Sequence, residues 1–147
     1  MNIRDTETLV RHAMGSLVDS QGVPMADHCM RVANHFRPGQ VEHTIGWLHD
    51  IVEDTNVGFD YLHSLGYSHE VIDAVWLLTH DKKEMDYPTY IDRICRSGNV
   101  SAIRVKIADQ TDNLDPARWL GMGKYRAQAL TKKWAGVKTK LIEALAA

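Results

Sequence analysis

A short stretch, Gly46-Trp47-Leu48-His49-Asp50-Ile51-Val52-Glu53-Asp54-Thr55, concentrates side chains that bind metals and move protons. In a helix, residues three and four apart share a face. Glu53 stands four after His49 and three after Asp50, and Asp54 stands four after Asp50. The spacing predicts one turn presenting an imidazole and three carboxylates to nearly the same place. Carboxylates gathered at the end of an apolar helix repel one another unless a cation or protons compensate. The pattern points to a divalent metal. Helix-capping acids are the plainer reading, but a second polar group, Asp109, Asp112 and Asn113, ends another apolar helix and argues against it.

A metal site needs neutral imidazoles and ionised carboxylates at fixed geometry. His49 and Asp50 supply two ligands, and His28 and Asp109 are the best candidates for the other two. Two nitrogens and two oxygens suit Mn²⁺, with Mg²⁺, Fe²⁺ or Zn²⁺ as alternatives. Glu53 and Asp54 then have the separate task of general acid–base catalysis on an attacking water. Asn113 could hydrogen-bond substrate or a metal ligand. Lys106, Arg104 and Arg93 could meet phosphate charge, though a helix lysine more often snorkels. Tyr87 and Tyr90 read first as packing residues whose hydroxyls could reach a ligand. His12, His35, His43, His63, His69 and His80 read as surface or structural, and Trp47, Trp76, Trp119 and Trp134 as core or interface.

The elements that must position these groups read as helices. Apolar residues at helical spacing predict segments at about 6–18, capped by Thr6 or Asp5, at 24–36, at 40–52 and at 59–65. Further segments follow at 68–78, capped by Ser68, at 87–96, at 100–113, and from 123 to the C-terminus. Residues 20–24 read as a turn, and His80 to Asp86 as a polar connection. No alternating strand pattern occurs, so the class is all-α, a single domain over residues 1–147.

Residues 1–75 hold four Lys/Arg against eleven Asp/Glu, and residues 76–147 hold thirteen against eight. An acidic half for metal and a basic half for phosphate is one reading, and scattered solvated charge the other. No basic arm for nucleic acid is present. The absence of a long apolar run or of an apolar leader at Met1-Asn2-Ile3 predicts a cytoplasmic chain that neither spans nor enters a membrane. Cys29 and Cys95 read as reduced thiols. A homo-oligomer is left open.

The motifs resemble the HD-domain phosphohydrolases, above all the hydrolase domain of the RelA/SpoT family and its small stand-alone relatives. His49-Asp50-Ile51-Val52-Glu53-Asp54-Thr55 is similar to that branch's extended signature. Gly22-Val23-Pro24-Met25-Ala26-Asp27-His28 resembles its first-histidine segment, and Lys106-Ile107-Ala108-Asp109 through Asn113 its late segment. Tyr87-Pro88-Thr89-Tyr90-Ile91-Asp92-Arg93 resembles the Tyr-x-x-Tyr-Ile-x-Arg stretch of the stand-alone members. The likeness spans about residues 10–115.

The resemblance implies a helical HD fold, with His28, His49, Asp50 and Asp109 around a Mn²⁺-like ion. It implies Glu53 and Asp54 on the water and Asn113 at the nucleotide; Tyr90, Arg93 and Lys106 complete the candidate substrate-binding residues. The implied reaction is removal of the 3′-pyrophosphate of guanosine tetra- or pentaphosphate. Asp19 and Met25 stand where the family carries a basic residue and a tyrosine. Asp19 cannot stack as a guanidinium does and would repel phosphate. Two rival expectations are a hydrolase of another nucleotide or small phosphoester, and an HD domain that binds a nucleotide without turnover.

Overall fold

A computed structural model describes residues 3–19, 21–120 and 123–147. Its elements are helices: α1 (Ile3–Met14), α2 (Met25–Ala33), α3 (Val41–Leu48), α4 (Ile51–Asp54), α5 (Phe59–Ser64), α6 (His69–Leu78), α7 (Tyr87–Arg96), α8 (Val100–Asn113), α9 (Lys124–Trp134) and α10 (Val137–Ala146). A 3-10 turn covers Pro116–Trp119. A lone bridge between Val18 and Pro24 is the one β feature among the described residues. The all-α expectation holds.

Helix α3 lies at the centre and packs against α2, α8, α6 and α1. Ile45, Trp47 and Leu48 on α3 are buried with Cys29, Val32 and Ala33 of α2 and with Ala102, Ile103 and Val105 of α8. One residue explains how closely α2 and α3 meet. A Cβ on Gly46 would lie 2.7 Å from the Ala33 Cα and 2.9 Å from its nitrogen. Only hydrogen fits there, so the two helices cross backbone to backbone and bring His28 and His49 together. Helix α8 buries residues around most of its circumference and runs through the core as an apolar rod with a polar C-terminal end.

The predicted Ser68 cap of α6 is present, and α7 is capped too, by Asp86. Ser68 Oγ accepts from the Val71 N–H at 3.3 Å, and an Asp86 carboxylate oxygen accepts from the Thr89 N–H at 2.9 Å. Elsewhere the structure corrects the expectations. Helix α1 ends at Met14 rather than at Val18, and Ser20 in the following turn lies outside the described residues, as do Met1 and Asn2. Thr6 is no cap: it sits inside α1, buried, with its hydroxyl 2.8 Å from the Tyr67 hydroxyl. Segment 40–52 is not one helix. Asp50, at φ −105° and ψ −3°, leaves helical geometry and divides α3 from α4. The last segment is two helices because Gly136 adopts φ +77°, a left-handed conformation that stops α9 and re-aims the chain into α10. Val137 and Leu141 of α10 are buried, whereas α9 buries none of its described residues. No helix among the described residues is long and apolar enough to cross a membrane.

Candidate metal centre and its cleft

Each predicted ligand comes from the polar end of a buried helix or from the break beside one. His28 lies on α2, Asp109 near the end of α8, and His49 and Asp50 in the break between α3 and α4. His28, His49 and Asp109 are buried, at 3%, 2% and 4% exposure. Their donor atoms converge. His28 Nε2 stands 2.9 Å from Asp109 Oδ1 and 3.6 Å from Asp50 Oδ2. His49 Nε2 stands 3.2 Å from Asp50 Oδ2 and 3.5 Å from Asp109 Oδ1. The two Nε2 atoms are 3.3 Å apart. Ligands held about 2.1 Å from one cation lie about 3.0 Å apart at a right angle and about 3.4 Å apart in a tetrahedron. The observed separations fall around that range.

The outer nitrogens decide which lone pairs face inward. His49 Nδ1 donates to the Gly46 carbonyl at 2.7 Å, and His28 Nδ1 donates to Asp112 Oδ2 at 2.6 Å. Both rings therefore turn Nε2 toward the acids, the arrangement that orients histidine ligands on metals. Asp50 forgoes capping α4 with its side chain and turns it to the histidines instead. The four residues could hold a divalent metal. Burial opposes protonation of His49, but Asp50 and Asp109 outweigh it and raise its pKa well above the ordinary value. Burial would raise the Asp109 pKa, yet Lys106 and the two histidines hold it well below the carboxylate range. Protons thus balance the acids wherever a metal does not.

Asp112 is the residue that sequence reasoning left without a role. It is buried, and it ties His28 to two arginines: Arg31 Nε donates to Oδ1 at 2.8 Å, and Arg118 Nη1 lies 3.3 Å from Oδ2. Its position three after Asp109, on the same face of α8, was the available signal.

Lys106 donates to Asp109 Oδ2 at 2.7 Å and is itself buried, so its first partner is the ligand carboxylate. Asn113 Nδ2 donates to Asp109 Oδ1 at 3.1 Å, and its Oδ1 accepts from Arg118 at 2.6 Å. The Tyr90 hydroxyl donates to the Leu78 carbonyl at 2.6 Å. Arg93 Nη2 donates to the carbonyls of Leu77 at 3.0 Å and Thr79 at 3.1 Å, capping α6. Arg104 pairs with Glu42 at 3.5 Å, and neither it nor Arg93 borders the metal cleft.

That cleft, about 160 Å³, is bordered by His28, Asp50, Asp109, Tyr90, Lys106 and Asn113 among others. Lys82, Arg118 and Lys133 also border it, three cations that the sequence reading did not single out. Burial, then Lys82 and Lys106, lower the Lys133 pKa, so like charges converge there. Glu53 and Asp54 do not share one face with His49 and Asp50, because the helix is interrupted between them. Glu53 borders the metal cleft and accepts from the His80 N–H at 2.8 Å, while Asp54 borders an adjoining cavity. Burial, then Asp50 and Glu53, push the Asp54 carboxyl up to about 6. Asp19 does not stand as an isolated negative charge. Its Oδ1 accepts from the Gln21 and Val23 N–H groups at 2.8 and 3.1 Å, and its Oδ2 lies 3.8 Å from Arg118.

No family model matches the chain, and no curated protein sequence matches it. A solved structure does. It is that of a metazoan ortholog of SpoT, described as hydrolysing ppGpp and playing a role in starvation responses; it overlays with a TM-score of 0.68, covering 96% of this chain and 92% of the other at 21% identity. The chain shares the fold of this SpoT ortholog, and the likeness extends over nearly the whole of both chains.

Proposed function

We propose that this HD-fold chain is a metal-dependent phosphohydrolase acting on a phosphorylated nucleotide, with Mn²⁺ the best-suited ion. The leading substrate is guanosine tetra- or pentaphosphate, cleaved at its 3′-pyrophosphate to give GDP or GTP and pyrophosphate. The observation that carries the reading is the convergence of His28, His49 and Asp109, with donor atoms 2.9–3.5 Å apart and Asp50 Oδ2 3.2 and 3.6 Å from the two histidine nitrogens, on a cleft bordered by Lys82, Lys106, Arg118 and Lys133. Two imidazoles and two carboxylates serve a divalent cation, and the surrounding cations serve phosphate.

A bound divalent ion supplies Lewis-acid polarisation of the phosphoryl group and acidifies water. The remaining work falls to the chain. Asp54, its carboxyl pushed up to about 6, is mostly ionised near neutral pH, yet a stronger base than an ordinary carboxylate and suited to take a proton and return it. Glu53, held by the His80 N–H, orients the attacking water. The water oxygen forms a bond to phosphorus as the bond to the 3′-oxygen breaks. The proton from water passes to the carboxylate and then to the leaving 3′-oxygen. Asn113 and Tyr90 border the nucleotide, and Lys106 steadies Asp109 while facing phosphate charge.

The pairing of Asp19 with Arg118 favours a second reading, hydrolysis of another nucleotide, because it spends on a side chain a guanidinium that phosphate would otherwise meet. One experiment tests both. Protein loaded with Mn²⁺ is offered a nucleotide panel, and pyrophosphate and orthophosphate release are measured separately. Pyrophosphate from the guanosine 3′-pyrophosphates supports the first reading, and preferential turnover of another nucleotide the second. Binding without release from any member would contradict both and leave a non-catalytic HD domain.

A further inference from the structure

Asp19 carries the wrong sign for its surroundings. An acid near a cleft for phosphate weakens anionic ligands, yet its contacts give it another use. Oδ1 accepts from the Gln21 and Val23 N–H groups at 2.8 and 3.1 Å, so the carboxylate is held by its own turn. Gln21 Nε2 donates to the carbonyls of Ala117, at 3.2 Å, and Leu120, which fastens this loop to the turn after α8. Asp19 is thereby a fixed point whose remaining oxygen, Oδ2, faces Arg118 Nη2 at 3.8 Å. The two side chains are only 11% and 18% exposed, so solvent and salt screen the pair little. Asp19 does not border the metal cleft. It borders a smaller space, about 210 Å³, that shares Asn113, Arg118 and Trp134 with the cleft.

Arg118 passes that placement on. Its Nε is buried with no hydrogen-bond partner among the described residues, so the guanidinium is held through Nη1 and Nη2. Nη1 donates to Asn113 Oδ1 at 2.6 Å, and Asn113 Nδ2 donates to Asp109 Oδ1 at 3.1 Å. The Asn113 amide is therefore held at both ends, with a donor on its oxygen and an acceptor on its nitrogen. One N–H and one lone pair remain for a ligand. Nη1 also lies 3.3 Å from Asp112 Oδ2, but Arg31 and His28 hold Asp112 from other sides, so that branch stands without Arg118.

We propose that Asp19 and Arg118 are positioning residues for the nucleotide: the carboxylate fixes the guanidinium, the guanidinium fixes the Asn113 amide, and the amide meets the ligand. The proposal rests on the phosphohydrolase reading for the ligand class and for the place of Asn113, but binding alone can test it. The sign of one effect decides. If Asp19 acted only as a charge, removing that charge would tighten the binding of an anion. Acting through Arg118, its removal loosens binding.

Asp19→Asn keeps the Oδ1 acceptor of the turn and removes the charge, and Arg118→Lys keeps the charge and removes the two-armed geometry. The Kd of full-length, Mg²⁺-loaded protein for GDP and for ADP is measured by isothermal titration calorimetry, with thermal unfolding to show that each variant is folded. Each change should raise the Kd of the better-bound nucleotide at least about threefold, the scale of coupling between residues in one polar network. On an Asn113→Ala background neither should weaken binding by more than about twofold, because the group they place is gone. Tighter or unchanged binding in Asp19→Asn, or losses that persist without Asn113, would overturn the proposal. The expected losses without turnover of any nucleotide would sink the hydrolase reading and leave the positioning chain standing. Turnover with a KM that Asp19→Asn does not raise would do the reverse, and folded wild-type protein that binds neither nucleotide would overturn both.

Discussion

Replacing Asp112 isolates what holds His28 in place, because Asp112 touches the histidine and not the metal position. In Asp112→Ala the His28 N–H loses its acceptor at 2.6 Å inside the core. Arg31 is a third exposed and turns to water, and Arg118 keeps Asn113 at 2.6 Å. The stability cost therefore reduces to one buried donor left unpaired, about 1–3 kcal/mol. Freed of its anchor, the ring can rotate and change tautomer, which on metal sites typically weakens affinity by about 10- to 100-fold, or about 1.4–2.7 kcal/mol.

Mn²⁺ affinity measured by chelator competition, beside urea unfolding of the metal-free protein, reads the two terms separately. Arg31→Ala is the control: it removes a partner of Asp112 but leaves the His28 bond, so the metal Kd should move less than about threefold. Burial would raise the Asp112 pKa, but the hydrogen bonds to His28 and Arg31 outweigh it and hold it at about 2. Stability from this group is complete above the ordinary carboxylate pKa of about 3.9 and is lost as pH falls toward about 2. Asp112→Asn should flatten that acid limb. A folded Asp112→Ala protein binding Mn²⁺ with wild-type affinity would refute the assignment.

Three further outcomes are expected. Glu53→Gln or Asp54→Asn should keep metal content near wild type and lower turnover by about a hundredfold or more, whereas His49→Ala and Asp50→Ala should lose metal and activity together; metal analysis beside steady-state kinetics decides, and fully active Glu53 and Asp54 variants would remove their role. The Asp54 carboxyl should titrate near about 6 in metal-free protein by ¹³C NMR, with Asp50→Asn bringing it only part of the way down, because burial is the larger cause; activity should accordingly rise as pH passes that value, and titration near an ordinary carboxylate pKa would contradict this. Gly46→Ala should destabilise by about 1–3 kcal/mol in urea, since the new Cβ meets the Ala33 backbone at 2.7 Å and the strain exceeds the gain in helix propensity of about 1 kcal/mol; unchanged stability would show that α2 and α3 can part freely.

What the sequence made legible was type and spacing. The apolar periodicity of α2, α3, α6, α7 and α8 is the periodicity of their buried faces, so those helices could be read directly, and the four candidate ligands beside them from residue type together with the family resemblance. The break at His49-Asp50 could not. Asp50 leaves ideal helix at φ −105° while its side chain turns to His28 of α2 and to His49, which is a tertiary arrangement. Arg93 was a candidate phosphate contact because it lies near the site helices in sequence; that the open carbonyls at the end of α6 hold its Nη2 could not be read there. Lys133 was unreadable for a different reason. Nothing in α9 marks it apart from Lys132, and only the packed structure shows that Lys133 is the one bordering the cleft.

The uneven charge along the chain acquires a meaning in this arrangement. His28, His49 and Asp50 come from the acidic first half, and Lys82, Lys106, Arg118 and Lys133 from the basic second half. The cleft is therefore where the two halves meet, rather than a place where charge is scattered. Asp109 is the exception, an acid from the basic half, and Lys106 beside it at 2.7 Å already balances half of the pair. A divalent cation among the four ligands cancels Asp50 and Asp109. Lys106 is then released from part of its attraction, while Lys82 and Lys133 have no ion-pair partner among the described residues. Opposite charges at such range in a cleft shielded from water interact far more strongly than at an open surface. A phosphate group arriving there meets four cations against three acids, and neutralising two of those acids strengthens its attraction further.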